Sequence, residues 1–183
     1  MATGLLLVDL QNDYFPGGKM ELDRTEQAGL NAGELLAAFR AKGRPVFHVR
    51  HLSIQPGATF FLPETDGSNL HACVQPLAAE TVVEKNFPNS FRETGLEDIL
   101  HKQQVSDLVI CGAMSHMCID ATTRAAADLG FACTIVHDAC ATKSLEFAEQ
   151  TIPASEVHGA FMAALGAAYA QIVSLDDFLA DFA

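Results

Sequence analysis

An α/β fold, with a sheet covered by helices on both faces, is predicted by three features of the sequence. Short apolar segments of strand length alternate along the chain with longer segments of helical periodicity. Polar residues stand directly after several of these apolar segments. Of the 183 residues, 49% are hydrophobic and only 19% are charged, so the chain can bury a large core. At this length we expect residues 1–183 to form a single domain.

Six short apolar runs, each bounded by polar or turn-forming residues, are predicted to be the strands of a parallel sheet. They are Gly4–Asp9, Pro45–Arg50, Thr81–Glu84, Asp107–Gly112, Ala132–His137 and Gln171–Val173. Stretches of helical periodicity between and after them are the predicted helices, Arg24–Ala41, Thr94–His101, Ile119–Leu129, Ala154–Ala170 and Leu175–Phe182. On the first helix, the residues expected to face the core are Leu30, Leu35, Leu36 and Phe39.

The segment His51–Glu80 has no clear periodicity and contains three prolines. Long loops of this kind in compact domains commonly serve as lids or interface elements. Its Phe60, Phe61 and Leu62 are expected to line a pocket, to shield it or to pack in a subunit interface. Together with the alanine-rich fourth helix, this loop favours a homodimer or a homotetramer.

The charge and hydropathy of the chain argue against several classes of partner. Its 23 acidic and 11 basic residues give a formal net charge of −12, which repels nucleic acid backbones and anionic lipid surfaces. The apolar run Leu5–Val8 is too short for a signal-peptide core or a membrane span, and no basic region precedes it. We therefore expect a cytoplasmic protein that binds neither nucleic acid nor membrane.

The five cysteines form neither a disulfide framework nor a zinc-binding pattern, because their number is odd and no CxxC occurs. Cys111 and Cys133 lie inside apolar predicted strands, where a cysteine is expected to act as a small buried hydrophobe. Cys118 has different surroundings, since it follows the turn-like segment Gly112–Met117 and directly precedes a predicted helix.

Three chemically useful side chains follow predicted strands. Asp9 ends the first strand, Lys85 follows the third, and Cys118 follows the turn after the fourth. In open α/β sheets, ligands bind beyond the carboxyl ends of the strands. A carboxylate, an ammonium and a thiol at that edge can act as base, anion-stabilising cation and nucleophile. Asp9, Lys85 and Cys118 are therefore the candidate catalytic residues.

The position of Cys118 at a predicted helix start adds an independent argument. The helix dipole and the unpaired N–H groups there favour a thiolate over the ordinary thiol pKa of about 8.5. The same N–H groups can hold the oxyanion of an acyl-transfer intermediate. Each residue also has a plainer interpretation: Cys118 as a structural thiol, Asp9 as a cap of the next turn, and Lys85 as a surface ion pair with Glu84.

Three ordered blocks of the chain resemble the signature motifs of the isochorismatase-like cysteine hydrolases. They are Val8–Gly18 (VDLQNDYFPGG), Glu84–Phe91 (EKNFPNSF) and Gly112–Cys118 (GAMSHMC). The resemblance covers nearly the whole chain. It implies the Rossmann-like fold of these hydrolases, a three-layer αβα arrangement around a six-stranded parallel sheet of order 3-2-1-4-5-6.

The same resemblance implies that Asp9, Lys85 and Cys118 form the catalytic triad of a hydrolase. It also implies a cis peptide between Ala113 and Met114, which would aim the N–H groups of Met114 and Cys118 at the oxyanion. True isochorismatases cleave a vinyl ether and lack the cysteine that matches Cys118. Its presence here favours hydrolysis of a C–N bond in a small amide through a thioester, without a cofactor.

Nicotinamidases of this superfamily hold a metal ion with an aspartate and histidines that follow the second strand. This chain has the sequence His48-Val49-Arg50-His51 there and no Asp-x-His pattern, so we expect no metal. A cluster of His48, His51 and His71 stays open as an alternative.

Four residues near the signature blocks are expected to bind the substrate. Tyr14 and Phe15 belong to the first block, and His116 lies two residues before Cys118. Arg50 would place a cation near the site, as suits a substrate that bears a carboxylate. Core packing is the alternative for Tyr14 and Phe15, and turn capping is the alternative for His116.

Three other functions stay open: an ether hydrolase of the isochorismatase type, a metal-assisted amidase like the nicotinamidases, and a non-catalytic interaction protein on the same fold. A phosphatase is disfavoured because Gln11 stands where that class needs a second aspartate. No GxSxG, P-loop or GxGxxG motif supports a serine hydrolase, an NTPase or a dehydrogenase.

Overall fold

The computed structural model describes residues 2–182, which contain eight strands and five α-helices. The strands are β1 (Ala2–Val8), β2 (Val46–His51), β3 (Thr81–Lys85), β4 (Val105–Ala113), β5 (Ala132–Ala141), β6 (Leu145–Phe147), β7 (Gln150–Ile152) and β8 (Gln171–Val173). The α-helices are α1 (Thr25–Ala41), α2 (Leu96–Lys102), α3 (Asp120–Asp128), α4 (Ala154–Gly166) and α5 (Leu175–Asp181).

Six of the strands form one parallel sheet in the spatial order β3-β2-β1-β4-β5-β8. This order confirms the predicted topology, because the sixth predicted strand, Gln171–Val173, is β8. In the centre of the sheet, Leu7 of β1 lies opposite His48 of β2 on one side and Cys111 of β4 on the other. Helices α1 and α5 contact each other on one face, and α2, α3 and α4 contact strands on the other. The result is the predicted three-layer arrangement.

The buried stripe of α1 follows the spacing expected of a helix that lies on a sheet. The prediction was wrong for Leu30, whose surface is 65% exposed. Leu30 is two residues from both Ala28 and Ala32, so it lies about 200° around the helix from these buried positions. The buried residues of α1 are Thr25, Ala28, Gly29, Ala32, Leu35, Leu36 and Phe39.

The antiparallel hairpin of β6 and β7 was not predicted from the sequence. Its two turn residues, Ala148 and Glu149, have positive φ angles of 49° and 62°. Hairpin turns of this kind usually carry Asn or Gly, which accept that conformation more readily. The pair Ala-Glu therefore gives no turn signal. The fourth helix also ends at Gly166, earlier than the predicted Ala170.

Cys111 and Cys133 are buried in β4 and β5, as predicted from their apolar surroundings. All five cysteines are unpaired thiols. No helix within residues 2–182 combines the length and the apolar character needed to cross a lipid bilayer.

The long loop 52–80 is fastened to the segment that follows β1. The N–H of His71 donates to the carbonyl oxygen of Leu10 at 2.8 Å. The buried carboxylate of Asp13 accepts a hydrogen bond from the N–H of Phe61 at 2.6 Å. These bonds hold the loop, including the buried ring of Phe61, over the carboxyl edge of the sheet. The first signature block therefore anchors the loop through the backbone of Leu10 and the side chain of Asp13.

Gly112, near the end of β4, takes a backbone conformation that few other residues tolerate. Its φ angle is 128°, and a Cβ atom there would lie 1.9 Å from the carbonyl oxygen of Val8. We expect Gly112→Ala to lower the free energy of unfolding by about 3 kcal/mol or more, from strain and overlap together. Urea denaturation measures this change. The control is Gly43→Ala, since Gly43 also has a positive φ, 59°, but no heavy atom within 4 Å of the added carbon.

The control substitution should cost only about 1–2 kcal/mol, because it adds the backbone penalty without the steric overlap. Equal losses in the two variants would show that the close approach of β1 and β4 is not the reason for glycine at position 112.

Candidate active site

Asp9, Lys85 and Cys118 meet at the carboxyl edge of the sheet. The Nζ atom of Lys85 donates to Oδ2 of Asp9 at 2.7 Å and lies 3.2 Å from Sγ of Cys118. The three residues are 0%, 2% and 5% exposed, respectively. The structure thus brings together the three candidate catalytic side chains from separate parts of the chain. An acid, a cation and a thiol share one buried volume.

Asp9 turns the chain away from the end of β1. Its N–H still continues the sheet, since it donates to the carbonyl oxygen of Val49 at 3.0 Å. Its φ angle of 52° lies in the left-handed region, which aspartate tolerates better than most residues. Oδ2 contacts Lys85, whereas Oδ1 is buried and has no hydrogen-bond partner among residues 2–182. One carboxylate oxygen is therefore free to accept a proton.

Lys85 is the last residue of β3, and its ammonium group has four close acceptors. Besides Asp9 and Cys118, they are Nδ1 of His51 at 3.0 Å and the carbonyl oxygen of Phe87 at 3.1 Å. Burial by itself lowers the pKa of Lys85, but the nearby Asp9 and Cys118 outweigh burial and raise it above its ordinary value. The ammonium therefore stays charged at neutral pH.

Cys118 lies within a single π-helical turn, Ser115–Ile119, that leads into α3. The expectation that this position favours the thiolate is wrong for the structure at rest. Burial, and then the carboxylate of Asp9, raise the pKa of the Cys118 thiol well above its usual range, although Lys85 opposes them. Loss of hydration and the negative charge of Asp9 together exceed the opposing effect of Lys85. The resting residue is a thiol that needs a base.

The backbone before Cys118 folds around Met114. The peptide bond between Ala113 and Met114 is cis, at the position that the family resemblance implies. The N–H groups of Met117 and Ile119 both donate to the carbonyl oxygen of Met114, at 3.0 and 3.2 Å. The assignment of the Met114 and Cys118 N–H groups to an oxyanion hole stays a prediction.

His51 belongs to the site, although its place in the sequence suggested only a metal ligand. Gln11 holds its backbone, because the N–H of His51 donates to Oε1 of Gln11 at 2.7 Å and Nε2 of Gln11 donates to the His51 carbonyl at 2.8 Å. The same Nε2 donates to the carbonyl oxygen of Ser68 at 2.9 Å. Gln11 is fully buried, and its side-chain amide makes the pair of hydrogen bonds with the His51 backbone that a neighbouring strand would make. The sequence signal for this role of Gln11 was its place in the first signature block.

The three histidines of the alternative metal cluster have different partners. Nε2 of His48 lies 3.0 Å from a carboxylate oxygen of Glu80. Nδ1 of His71 lies 3.1 Å from Sγ of Cys73, and Nδ1 of His51 lies beside Lys85. They do not form a common site among the described residues.

One set of three potential ligands does lie within 4.8 Å of one another in residues 2–182, namely Asp9, His51 and Cys118. The ammonium of Lys85 contacts all three and so occupies the centre of this set. A metal cation would have to displace this positively charged neighbour from its hydrogen bonds, at a large electrostatic cost. These residues therefore fit an ammonium better than a metal ion.

The prediction that Arg50 lies beside the triad is wrong. Adjacent residues of a strand point to opposite faces, and His51 points toward Lys85, so Arg50 points away. Its guanidinium pairs with Glu84, the residue opposite it on β3. Arg50 also lines a cavity of about 500 Å³ to which no triad residue contributes. A carboxylate on the substrate would have no arginine partner from this position.

Two of the remaining predicted substrate residues have mainly structural contacts. The ring of Phe15 stacks on His71 with a centroid distance of 3.6 Å, which supports core packing. Nδ1 of His116 lies 2.6 Å from Oγ1 of Thr142, which ties the nucleophile turn to the segment after β5. Tyr14 is different. Its ring packs against Phe61 with a centroid distance of 4.5 Å, and burial, followed by Cys118 and Asp9, raises the pKa of its phenol.

Glu80 connects α1, β2 and the end of the long loop, and it makes stability depend on pH. Both of its carboxylate oxygens accept from Arg40 at 2.7 Å. Arg40 lowers the pKa of Glu80 from 4.5 to about 2, although burial opposes this. A lowered pKa in the folded state stabilises the protein above pH 4.5, and this contribution disappears as the pH falls toward 2.

Because water partly screens Arg40, we expect Glu80 to contribute about 1–2 kcal/mol rather than the full value of the shift. Urea unfolding of the wild type and of Glu80→Gln from pH 7 down to 2.5 tests this, with the exposed Glu97→Gln as control. The difference between wild type and Glu80→Gln should shrink over that window. A difference that does not change with pH would contradict the assignment.

Comparison with known proteins agrees with this geometry. Residues 3–164 match the family model of the isochorismatase domain. The uncharacterized isochorismatase family protein YddQ of Bacillus subtilis is 50% identical over 98% of this chain and 99% of its own length. A solved structure from Oleispira antarctica is 51% identical, with a TM-score of 0.94 over 98% of this chain and 96% of that chain. A streptothricin hydrolase of Streptomyces noursei is 36% identical over 88% of this chain and 59% of that protein. The chain therefore belongs to the isochorismatase family of hydrolases.

Proposed function

We propose that this hydrolase is a cysteine-dependent amidohydrolase that cleaves a C–N bond in a small amide through a thioester. The observation that carries the proposal is the contact of a buried thiol, Cys118, with an ammonium that is itself bonded to the carboxylate of Asp9. The same carboxylate has a second, unpartnered oxygen for the proton of the thiol. The chain's own side chains thus supply a nucleophile, a base and a stabilising cation.

The acylation half of the proposed reaction starts with transfer of the thiol proton to Oδ1 of Asp9. Sγ of Cys118 then forms a bond to the carbonyl carbon, and the π electron pair moves to the carbonyl oxygen. The N–H groups of Met114 and Cys118 are the proposed donors to this oxyanion. When the oxyanion collapses, the C–N bond breaks, Asp9 returns its proton to the leaving nitrogen, and a thioester remains.

The deacylation half repeats these steps with water. The carboxylate of Asp9 accepts a proton from a water molecule, whose oxygen attacks the thioester carbon. Collapse of this second intermediate breaks the C–S bond and releases a carboxylic acid. The proton on Asp9 returns to the sulfur of Cys118, which restores the starting thiol. In both halves of the reaction, the positive charge of Lys85 stabilises the anionic forms of Asp9 and Cys118.

A screen of small amides, ureas and carbamoyl compounds against wild type and Cys118→Ala tests the proposal. We expect at least one class to be turned over by the wild type and not by Cys118→Ala. Cys133→Ala is the matched control, because Cys133 is also a buried, unpaired thiol but lies on β5 away from the triad. Turnover that survives in Cys118→Ala would exclude a cysteine nucleophile.

Location and assembly are part of the proposal. Five unpaired cysteines suit the reducing cytoplasm, where thiols stay free. Exposed apolar side chains such as Phe147, on the hairpin, and Ile54, in the long loop, are consistent with a homodimer or a homotetramer. Sedimentation velocity at micromolar concentration distinguishes these states from a monomer.

A further inference from the structure

His51 contacts the catalytic cation rather than the nucleophile. The two residues lie directly opposite each other on β2 and β3, and Nδ1 of His51 is 3.0 Å from Nζ of Lys85. An ammonium has only donors, so the imidazole nitrogen that faces it must accept. His51 is therefore neutral, and its proton is on Nε2.

The ammonium of Lys85 has more acceptors than protons to offer. It carries three N–H bonds, but four acceptor atoms lie within reach: those of Asp9 at 2.7 Å, His51 at 3.0 Å, Phe87 at 3.1 Å and Cys118 at 3.2 Å. While Cys118 is a thiol, its sulfur is the weakest of the four acceptors. Each of the other three acceptors then accepts a hydrogen bond from one N–H of Lys85.

Ionisation of Cys118 changes this order, because a thiolate accepts a charge-assisted hydrogen bond. One of the other acceptors must then give up its hydrogen bond from Lys85. The carbonyl of Phe87 belongs to the backbone only two residues from Lys85, and Oδ2 of Asp9 is buried with no replacement donor, whether or not Oδ1 has taken the thiol proton. His51 and Phe87 are both partly buried, but the carbonyl of Phe87 is held by its short backbone link to Lys85, whereas the imidazole of His51 can turn and leave its nitrogen to water.

We propose that His51 is a positioning residue, which holds one N–H of the Lys85 ammonium at rest and releases it to the sulfur of Cys118 when the thiol ionises. The proposal rests on the proposed role of Cys118 as the nucleophile. His51 thereby keeps the ammonium between Asp9 and Cys118 without adding a second charge to the site.

The surroundings of His51 keep it in the neutral form that this role needs. Burial and the charge of Lys85 lower the pKa of His51, and Asp9 only partly opposes them. The ionisable groups that face its ring are Asp9, which directly follows β1, Lys85 of β3 and Cys118 of the π-helical turn. The next pair along the strands, Arg50 and Glu84, points to the other face of the sheet.

The experiment is alkylation of Cys118 by iodoacetamide between pH 6 and 10, followed by peptide mass spectrometry, which separates Cys118 from the other four cysteines. His51→Phe keeps a planar ring but removes the acceptor. His51→Asn keeps an acceptor, because Oδ1 of asparagine can take the position of Nδ1. Cys118→Ala supplies the background.

In His51→Phe no imidazole competes for the third N–H of Lys85, so this N–H can always donate to the sulfur of Cys118. We therefore expect His51→Phe to lower the apparent pKa of alkylation and to speed the reaction at pH 7.5 by about three- to tenfold, the effect of one hydrogen bond. His51→Asn should stay close to the wild type. His51→Leu is the substitute if His51→Phe does not fold, as judged by circular dichroism, and should show the same acceleration.

An alkylation profile of His51→Phe or His51→Leu equal to that of the wild type would overturn the proposal. So would an equal change in His51→Asn, because the effect would then not depend on an acceptor. Alkylation needs no turnover, so these outcomes are independent of the substrate screen. The role of His51 can fail while the cysteine mechanism stands, and the alkylation profile distinguishes that outcome from a failure of the mechanism itself.

Discussion

Lys85→Met is expected to lower the free energy of unfolding by about 3–5 kcal/mol, because it leaves a buried charge without its partner. Methionine matches the length of the lysine stem, so the loss measures the missing ammonium more than a cavity. Asp9 is completely buried, and one of its oxygens already lacks a partner. Removal of Lys85 would leave the whole carboxylate unpaired. Urea denaturation at pH 7 measures the effect.

Two further variants show whether the charge pair is the cause. Lys102→Met, at the exposed end of α2, should change stability by no more than about 0.5 kcal/mol. The double variant Asp9→Asn/Lys85→Met should recover much of the loss, because no buried charge then remains without a partner. A double variant that is no more stable than Lys85→Met would contradict this explanation.

Asp9→Asn is expected to lower kcat by about 10²- to 10⁴-fold, since the amide cannot take the proton of Cys118. At the same time, loss of the negative charge beside the thiol should lower the pKa of Cys118, because Asp9 is one of the groups that raise it. Alkylation of Cys118 should therefore become faster while turnover becomes slower. This opposite response distinguishes loss of a general base from general damage to the site.

Both rates are measured on the same preparations, with a substrate found in the screen for kcat and with iodoacetamide for the thiol. Asp138→Asn is the control, because its carboxylate accepts from the N–H of Leu175 and has no contact with the triad. It should leave both rates close to those of the wild type. A parallel fall of turnover and alkylation in Asp9→Asn would argue against the role of Asp9 as base.

Much of the architecture followed from local patterns. The six strands of the parallel sheet are continuous apolar runs because helices cover both of their faces, and such runs can be recognised without any knowledge of the fold. The hairpin β6–β7 escaped because Ala148 and Glu149 adopt positive φ angles without the residue types that favour them. Leu30 was assigned to the wrong face because an apolar side chain on a helix need not belong to its buried stripe.

Some residues of the candidate site could be predicted from local sequence, and others could not. Asp9, Lys85 and Cys118 could be named from their places after strands and from the signature blocks. His51 could not be assigned its present contact, because a histidine at a strand end acquires a role only through the residue opposite it. Arg50 was placed near the triad for the same reason, since one step along a strand changes the face on which a side chain lies.

By itself, the sequence determined the fold class, the strand order that its family resemblance implied, and the three side chains that meet at the carboxyl edge of the sheet. Only the tertiary structure decided the ionisation of the site. Helix-start position favours a thiolate, but burial beside Asp9 raises the pKa of Cys118 and keeps it a thiol. Hydration and Coulomb interactions depend on distances between groups remote in sequence, such as Asp9 and Lys85, which are 76 positions apart. Those distances exist only in the folded chain.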